Sequence, residues 1–243
     1  MDRNDKKTYK LPTAEEVKAV DLSWQRYLLP KIHPEGIKIL IGIFVLFLIL
    51  GLLWDGVWFL GVPLLVFSFY FFRNPERFPP KGEDLILAPA DGIVSNIKEM
   101  VPPKALGLGN EKLIRISIFM SVFSVHVNRA PVAGKVTHLE YVPGKFVSVA
   151  DKDSEDNERQ LIGMTAINGE RIGFIQIAGL VARRIYCPLK IGDQLKAGQV
   201  FGMIRFGSRL DVFLPHGVVP KVLVGQVAVA GETILADMKE ENK

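Results

Sequence analysis

The chain has 243 residues, 49% hydrophobic and 23% charged, a length that allows one soluble domain of ordinary size plus an appendage. Its single cysteine, Cys187, excludes an internal disulfide and any multi-cysteine metal site and fits a reducing compartment. A formal charge of +4 and a pI near 9.1 favour an anionic partner, but Lys and Arg are spread without aromatic interleaving, which argues against nucleic acid and leaves an anionic membrane surface.

Residues 1–12 are polar. Thr13 followed by Glu16 fits a capping box, and the spacing of Val17, Val20, Trp24 and Leu28 predicts an amphipathic helix from Thr13 to Leu29, ended by Pro30. Such a helix suits either a membrane interface or packing on the domain. Residues 1–35 are thus expected to form a polar segment and this helix.

From Ile37 the character changes. Ile37 to Trp54 is apolar apart from Lys38, and Val57 to Phe72 is apolar throughout, with Asp55-Gly56 between them. The late start, the lack of a small-residue cleavage site and the second run exclude a cleavable signal peptide. At ~1.5 Å per residue each run makes a helix of roughly 24 to 27 Å, near the ~30 Å hydrocarbon core, so a membrane hairpin is expected over residues 36–73. Lys31 and Lys38 before it, and Arg73, Arg77 and Lys81 after it, place both ends on the cytoplasmic face. The alternatives are a re-entrant segment, or one tilted helix that leaves Asp55 in lipid.

Asn74-Pro75 and Pro79-Pro80 mark a boundary near residue 78. Beyond it the chain reads as short strands punctuated by Gly and Pro, the rhythm of a compact β-sandwich or barrel over residues 78–243. Asn168-Gly169 is the clearest hairpin turn. Residues 131–136 and 191–200 echo each other loosely, and the second resembles the turn-and-strand element of lipoyl and biotinyl carrier domains, small β-sandwich hybrids. Asp151 to Gln160, with seven charged residues, is expected to be a solvated loop or a lid beside a reactive site.

Three residues carry candidate chemistry. In Arg205-Phe206-Gly207-Ser208-Arg209, Gly207-Ser208 breaks two alternating runs and is either a plain turn or a strained linkage. In the second case the Ser208 hydroxyl can attack the Gly207 carbonyl and turn an amide into an ester, given a base and oxyanion donors. Among the four histidines, His126 stands in an apolar strand expected from Phe119 to Pro131, as a hydrogen-bonded core residue or as that base. His138 is expected toward solvent or a local partner, and the role of His216 at a strand end is open. Asp91 in Ala90-Asp91-Gly92 is a turn residue or the carboxylate of a triad. No metal site is indicated.

Pro89-Ala90-Asp91-Gly92, the Phe119 to Pro131 stretch with His126-Val127-Asn128-Arg129, Pro143-Gly144-Lys145-Phe146, Asn157-Glu158-Arg159 and Phe206-Gly207-Ser208 together resemble the phosphatidylserine decarboxylase proenzymes, in the same order from about Phe72 to Met238. The Arg-Leu-Asp-Val-Phe-Leu-Pro run after the serine resembles the short bacterial-type branch. Where many longer relatives have Leu-Gly-Ser-Thr this chain has Phe-Gly-Ser-Arg, and where they have a histidine three residues before the catalytic one it has Phe123.

The resemblance implies a mainly β catalytic domain after the hairpin, in which Asp91 orients His126 and His126 takes the proton of Ser208. Cleavage between Gly207 and Ser208 then gives a β chain, 1–207, and an α chain, 208–243, headed by a pyruvoyl cofactor made from the serine. That group forms a Schiff base with phosphatidylserine and accepts the electrons left by carbon dioxide, with His126 as candidate proton donor. The implied partners are the serine lipid, the membrane and the α/β heterodimer of its own products, with higher oligomers open. The competing readings are a membrane-tethered carrier-like or adaptor domain, and the same chemistry on an ether-linked serine lipid.

Overall fold

The computed structural model describes residues 28–144, 157–179, 184–205 and 208–241. The expected helix from Thr13 to Leu29 and the Pro143-Gly144-Lys145-Phe146 turn fall wholly or partly outside them. Helix α1 (Pro34–Gly51) begins where the sequence supplies a proline at its start, an acidic residue in its first turn, and the His33 imidazole, which accepts from the Glu35 N–H at 3.3 Å. One 3₁₀ turn (Asp55–Val57) leads into α2 (Trp58–Phe71), so the break falls at the expected Asp55-Gly56. Glycines let the two helices meet: a Cβ on Gly61 would enter the Phe47 ring, and one on Gly36 would enter Phe72. Among the described residues α1 alone is long and apolar enough to cross a membrane.

The rest is mainly β: β1 (Leu85–Leu87), β2 (Gly92–Met100), β3 (Leu113–Met120), β4 (Val127–Arg129), β5 (Gly134–Val142), β6 (Arg159–Ala166), β7 (Arg171–Ala178), β8 (Arg184–Tyr186), β9 (Gln194–Leu195), β10 (Val200–Arg205), β11 (Ser208–Phe213), β12 (Val218–Pro220), β13 (Val227–Ala228) and β14 (Ile234–Glu241). Eight of them form one curled antiparallel sheet in the order β13-β2-β3-β11-β7-β6-β5-β9, and two three-stranded sheets, β1-β14-β12 and β4-β10-β8, complete the domain. Alternation along the central strands sends Ile116, Ile118, Met164, Phe174, Leu210 and Val212 into the main core. Phe213, Ile175 and Ile177 point to the other face, covered by Leu106. The Asn168-Gly169 hairpin joins β6 to β7, with Gly169 at φ +92°.

The domain is built on an internal two-fold repeat. Ala88-Pro89-Ala90-Asp91-Gly92-Ile93-Val94 corresponds to Ala130-Pro131-Val132-Ala133-Gly134-Lys135-Val136, and Gly225 to Gly231 corresponds to Gly192 to Gly198. The backbone bonds match: Gly231 N–H to Ala88 O (2.7 Å) and Gly198 N–H to Ala130 O (2.9 Å); Gly225 N–H to Val94 O and Gly192 N–H to Val136 O, both 2.8 Å. The stretches 131–136 and 191–200, read as echoes of each other, are thus hydrogen-bonded neighbours in one half, and each has its true counterpart in the other.

Two local expectations change. Of the solvated loop expected over 151–160, residues 151–156 lie outside the described residues, and beyond them Asn157, Glu158 and Gln160 are buried and β6 starts at Arg159. The cause is pairing, since Asn157 Nδ2 donates to Ala178 O at 2.9 Å and Glu158 Oε1 accepts from the Tyr141 hydroxyl at 3.0 Å. Residues 119–131 are not one strand either. A turn at 121–124, closed by the Ser124 N–H on Ser121 O and by Ser121–Ser124 side-chain bonds, separates β3 from β4 and puts His126 just before β4.

Candidate active site

Ser208 is the first residue of β11 and lies opposite Met120 of β3 on one side and Ala178 of β7 on the other. The preceding strand, β10, belongs to a different sheet, so the expected scissile linkage falls where the chain crosses between sheets. Gly207 itself lies outside the described residues. Ser208 is wholly buried and its Oγ has no hydrogen-bond partner among them. An orphaned buried hydroxyl costs about 1–3 kcal/mol and calls for an explanation beyond packing.

His126 is held beside the same crossover. Its carbonyl accepts from the Ile204 N–H of β10 at 3.3 Å, its Nδ1 lies 2.9 Å from Ser124 O, and its ring stacks on Phe71 at 4.0 Å between centroids. A nitrogen facing a carbonyl must carry the proton, so Nε2 is left as the acceptor, buried and without a partner among the described residues. Burial pushes its pKa down to about 4, Arg73 pushes the same way, and only the Ser124 bond opposes them.

Asp91 makes neither of those contacts. Its carboxylate accepts from Arg77 Nη2 at 2.6 Å and from the Ala230 N–H at 2.7 Å, while burial raises its pKa against the pull of Arg77, Arg73 and Arg129. The contact on Nδ1 comes from Ser124 and Asp91 is set among arginines; His126 Nε2 and Ser208 Oγ are each without a hydrogen-bond partner among the described residues, so no hydrogen bond joins any two of the three residues expected together. In the repeat Asp91 stands where the other half has Ala133, a local departure from the scaffold pattern.

Several further residues surround this site. Phe71 and Phe72, each 1% exposed, pack with Val125, Val127 and Met203, and burying two such rings is worth on the order of 2–3 kcal/mol each. Arg73 donates to Phe123 O at 2.8 Å, and Arg129 reaches Asn74, Pro75 and Gly198. Gln176 Nε2 donates to Asn128 Oδ1 at 2.8 Å, joining β4 to the central sheet near Ser208. A cleft of about 260 Å³ lined by Phe67, Tyr70, Phe71, Arg73, Val122 and Phe123 opens at the end of α2, and Phe71 divides it from His126. Phe123, where a second histidine would stand, is 76% exposed. His138 is exposed beside Thr137, and His216 lies 3.9 Å from Glu111 with both side chains exposed. Cys187 packs on the core edge, its thiol pushed up to about 11 by burial. Among the described residues no cluster could hold a metal ion.

Fold and site define an enzyme-like β-domain in which a buried strand-initial serine hydroxyl and the Nε2 of a buried neutral imidazole both lack a partner among the described residues, fastened to an apolar helix pair. Comparison with known proteins makes the class specific. The phosphatidylserine decarboxylase family matches residues 64–236. A phosphatidylserine decarboxylase proenzyme of Ruegeria pomeroyi is 53% identical over 213 residues, 87% of this chain and 97% of that protein. One of Cereibacter sphaeroides is 52% identical over 207 residues, 85% of this chain and 89% of that protein. The chain belongs to the phosphatidylserine decarboxylase family and is an enzyme of the carboxy-lyase class.

Proposed function

We propose that the chain converts phosphatidylserine to phosphatidylethanolamine at the cytoplasmic face of a membrane, after cutting itself between Gly207 and Ser208. The carrying observation is the Ser208 hydroxyl, buried and unpartnered at a sheet crossover. Nε2 of His126 takes its proton; Oγ attacks the Gly207 carbonyl carbon, and the Ser208 nitrogen leaves with a proton, so the amide becomes an ester. Loss of the Ser208 Cα proton then expels the Gly207 carboxylate, and uptake of one water with release of one ammonia leaves a pyruvoyl group at position 208. The dry, apolar setting between Met120 and Ala178 fits that group, because it keeps water from a reactive ketone.

When formed, the pyruvoyl group supplies a carbonyl for the substrate amine and a sink for the electron pair left by carbon dioxide. His126 is the candidate for returning a proton to the substrate carbon, a task for which its proton affinity must rise when an anionic substrate lies against it. Asp91 acts on His126 through charge: its carboxylate balances the arginines, and Arg73 is the cation that disfavours imidazolium. The two products stay together as an α/β heterodimer because β11, from the α chain, is hydrogen-bonded on both sides by strands of the β chain.

The test is the mass of the purified full-length protein. Two non-covalently joined chains are expected, the smaller starting at 208 and lighter by one ammonia than a serine-headed fragment, while Ser208→Ala stays in one piece and is inactive. A single intact chain that decarboxylates the lipid, or a carrier-like protein indifferent to Ser208→Ala, overturns the proposal.

A further inference from the structure

We infer that Glu35 is a positioning residue for self-cleavage, acting through Arg205; the inference rests on the cleavage proposed above. Arg205 is the last residue of β10, with only Phe206 and Gly207 between it and Ser208. Its Nη2 donates to Glu35 Oε2 at 2.6 Å, a contact between residues 170 apart in the chain, with side chains 20% and 23% exposed. Charge-assisted bonds of this length, partly shielded from water, are the stronger kind.

Glu35 is itself well fixed. It sits in the first turn of α1, where a carboxylate is favoured, its N–H bonds to His33 Nδ1, and the His33 N–H bonds to the carbonyl of buried Phe72 at 2.8 Å. On the other side, Arg205 is paired in register with Arg184, a like-charge juxtaposition that strand pairs disfavour and that Glu35 offsets. The flank before the scissile linkage is therefore held by β10 and Glu35, and the flank after it by β3 and β7. An intramolecular attack gains its rate from such fixing, and a small misplacement of either flank is costly. At the same end of the helix pair, where α2 returns beside the start of α1 and the His33 N–H meets the Phe72 carbonyl, Phe71 rests on His126, so the pair touches both the proposed base and the chain leading to the bond to be broken.

Once the bond is cut, the position of the Arg205 side matters less, so loss of the contact slows maturation more than turnover. The experiment follows conversion of newly made full-length chain into two chains for wild type, Glu35→Gln, Arg205→Met, the double variant and Arg205→Lys. Tm and turnover per keto group are measured in parallel. Each removal is expected to slow conversion about tenfold, the double variant to be no slower than the slower single, and Arg205→Lys to recover part of the rate, with Tm and turnover per keto group nearly unchanged. Wild-type conversion in Glu35→Gln overturns the inference, as do additive effects in the double variant, or a Tm that falls in step with the rate. Should wild type itself remain uncut, the cleavage reading fails and this inference with it; a cut wild type with an equally cut Glu35→Gln sinks this inference alone.

Discussion

At His126 removal from water and the field of Arg73 both disfavour the imidazolium, and the bond to Ser124 O recovers only part of it, leaving a pKa of about 4. The imidazole is thus already neutral at any pH above that. Self-cleavage is expected to show no acid limb from His126 between pH 8 and 5 and to fall by half near pH 4, read as the fraction of two-chain product against time. Phe71→Ala admits water to the ring, moves the pKa up toward 6.5 and brings the limb into the pH 5–6 range; an unmoved profile would mean that Phe71 does not shield the imidazole. Stability follows the same sign. Below 6.5 the unfolded chain binds a proton that the folded one refuses, so stability drops by up to about 1.4 kcal/mol per pH unit between 6.5 and 4. Asp91→Asn leaves the arginine cluster without its carboxylate and is expected to slow cleavage at least tenfold while the fold stays intact by circular dichroism; cleavage at the wild-type rate would remove Asp91 from the machinery. Ser208, His126 and Asp91 could be singled out as candidates in the sequence because each is a reactive or charged side chain within a recognisable motif. Ser124 could not, because it acts through its carbonyl, and Phe71 could not, because one aromatic in an apolar run looks like its neighbours.

Among the elements, the two halves of the repeat place a glycine at the same tight spot. A Cβ on Gly92 would run into the Phe119 carbonyl, and one on Gly134 into the Thr165 carbonyl; both obstacles are backbone and cannot swing aside. Gly92→Ala and Gly134→Ala are each expected to cost about 2 kcal/mol, measured by urea unfolding. Gly92→Ala should also slow self-cleavage, since Gly92 adjoins Asp91. Equal cleavage in the two variants would show that the Asp91 turn tolerates displacement. The hairpin at Asn168-Gly169 and the long strands were legible because turn chemistry and alternation are local. The repeat was only half legible: its glycines recur, but its strands β9 and β13 are two residues long and exist through partners distant in sequence. Similarly β14, Ile-Leu-Ala-Asp-Met-Lys-Glu-Glu, has the composition of a helix and is a strand because β1 and β12 pair with it.

Over the whole molecule the apolar surface is strongly one-sided. The helix pair turns Ile41, Phe44, Leu48, Leu53, Trp54 and Phe59 outward, far more contiguous apolar surface than a soluble protein leaves uncovered. Of the five flanking cations, Arg77 is bound to Asp91 and Arg73 to backbone carbonyls. Lys38 lies 4.0 Å from Glu35, which leaves the exposed Lys31 and Lys81 to attract anionic lipid at about 1 kcal/mol each, a minor share beside the apolar area of α1 and α2. Full-length protein is therefore expected to float with phosphatidylcholine vesicles as well as with anionic ones, and to stay bound at 1 M salt. Ile41→Asp with Leu48→Asp puts two carboxylates on the outward side of α1, at about 3 kcal/mol each, and should release the protein from neutral vesicles. Neither residue belongs to the buried clusters of the β-domain, so the variant should still cut itself and keep its Tm. Its activity should fall on vesicles while persisting on lipid dispersed in detergent micelles, because only the meeting with substrate has been lost. Binding that vanishes in salt would assign attachment to the lysines, and an unchanged rate on vesicles would mean that the helix pair serves the β-domain and not the membrane.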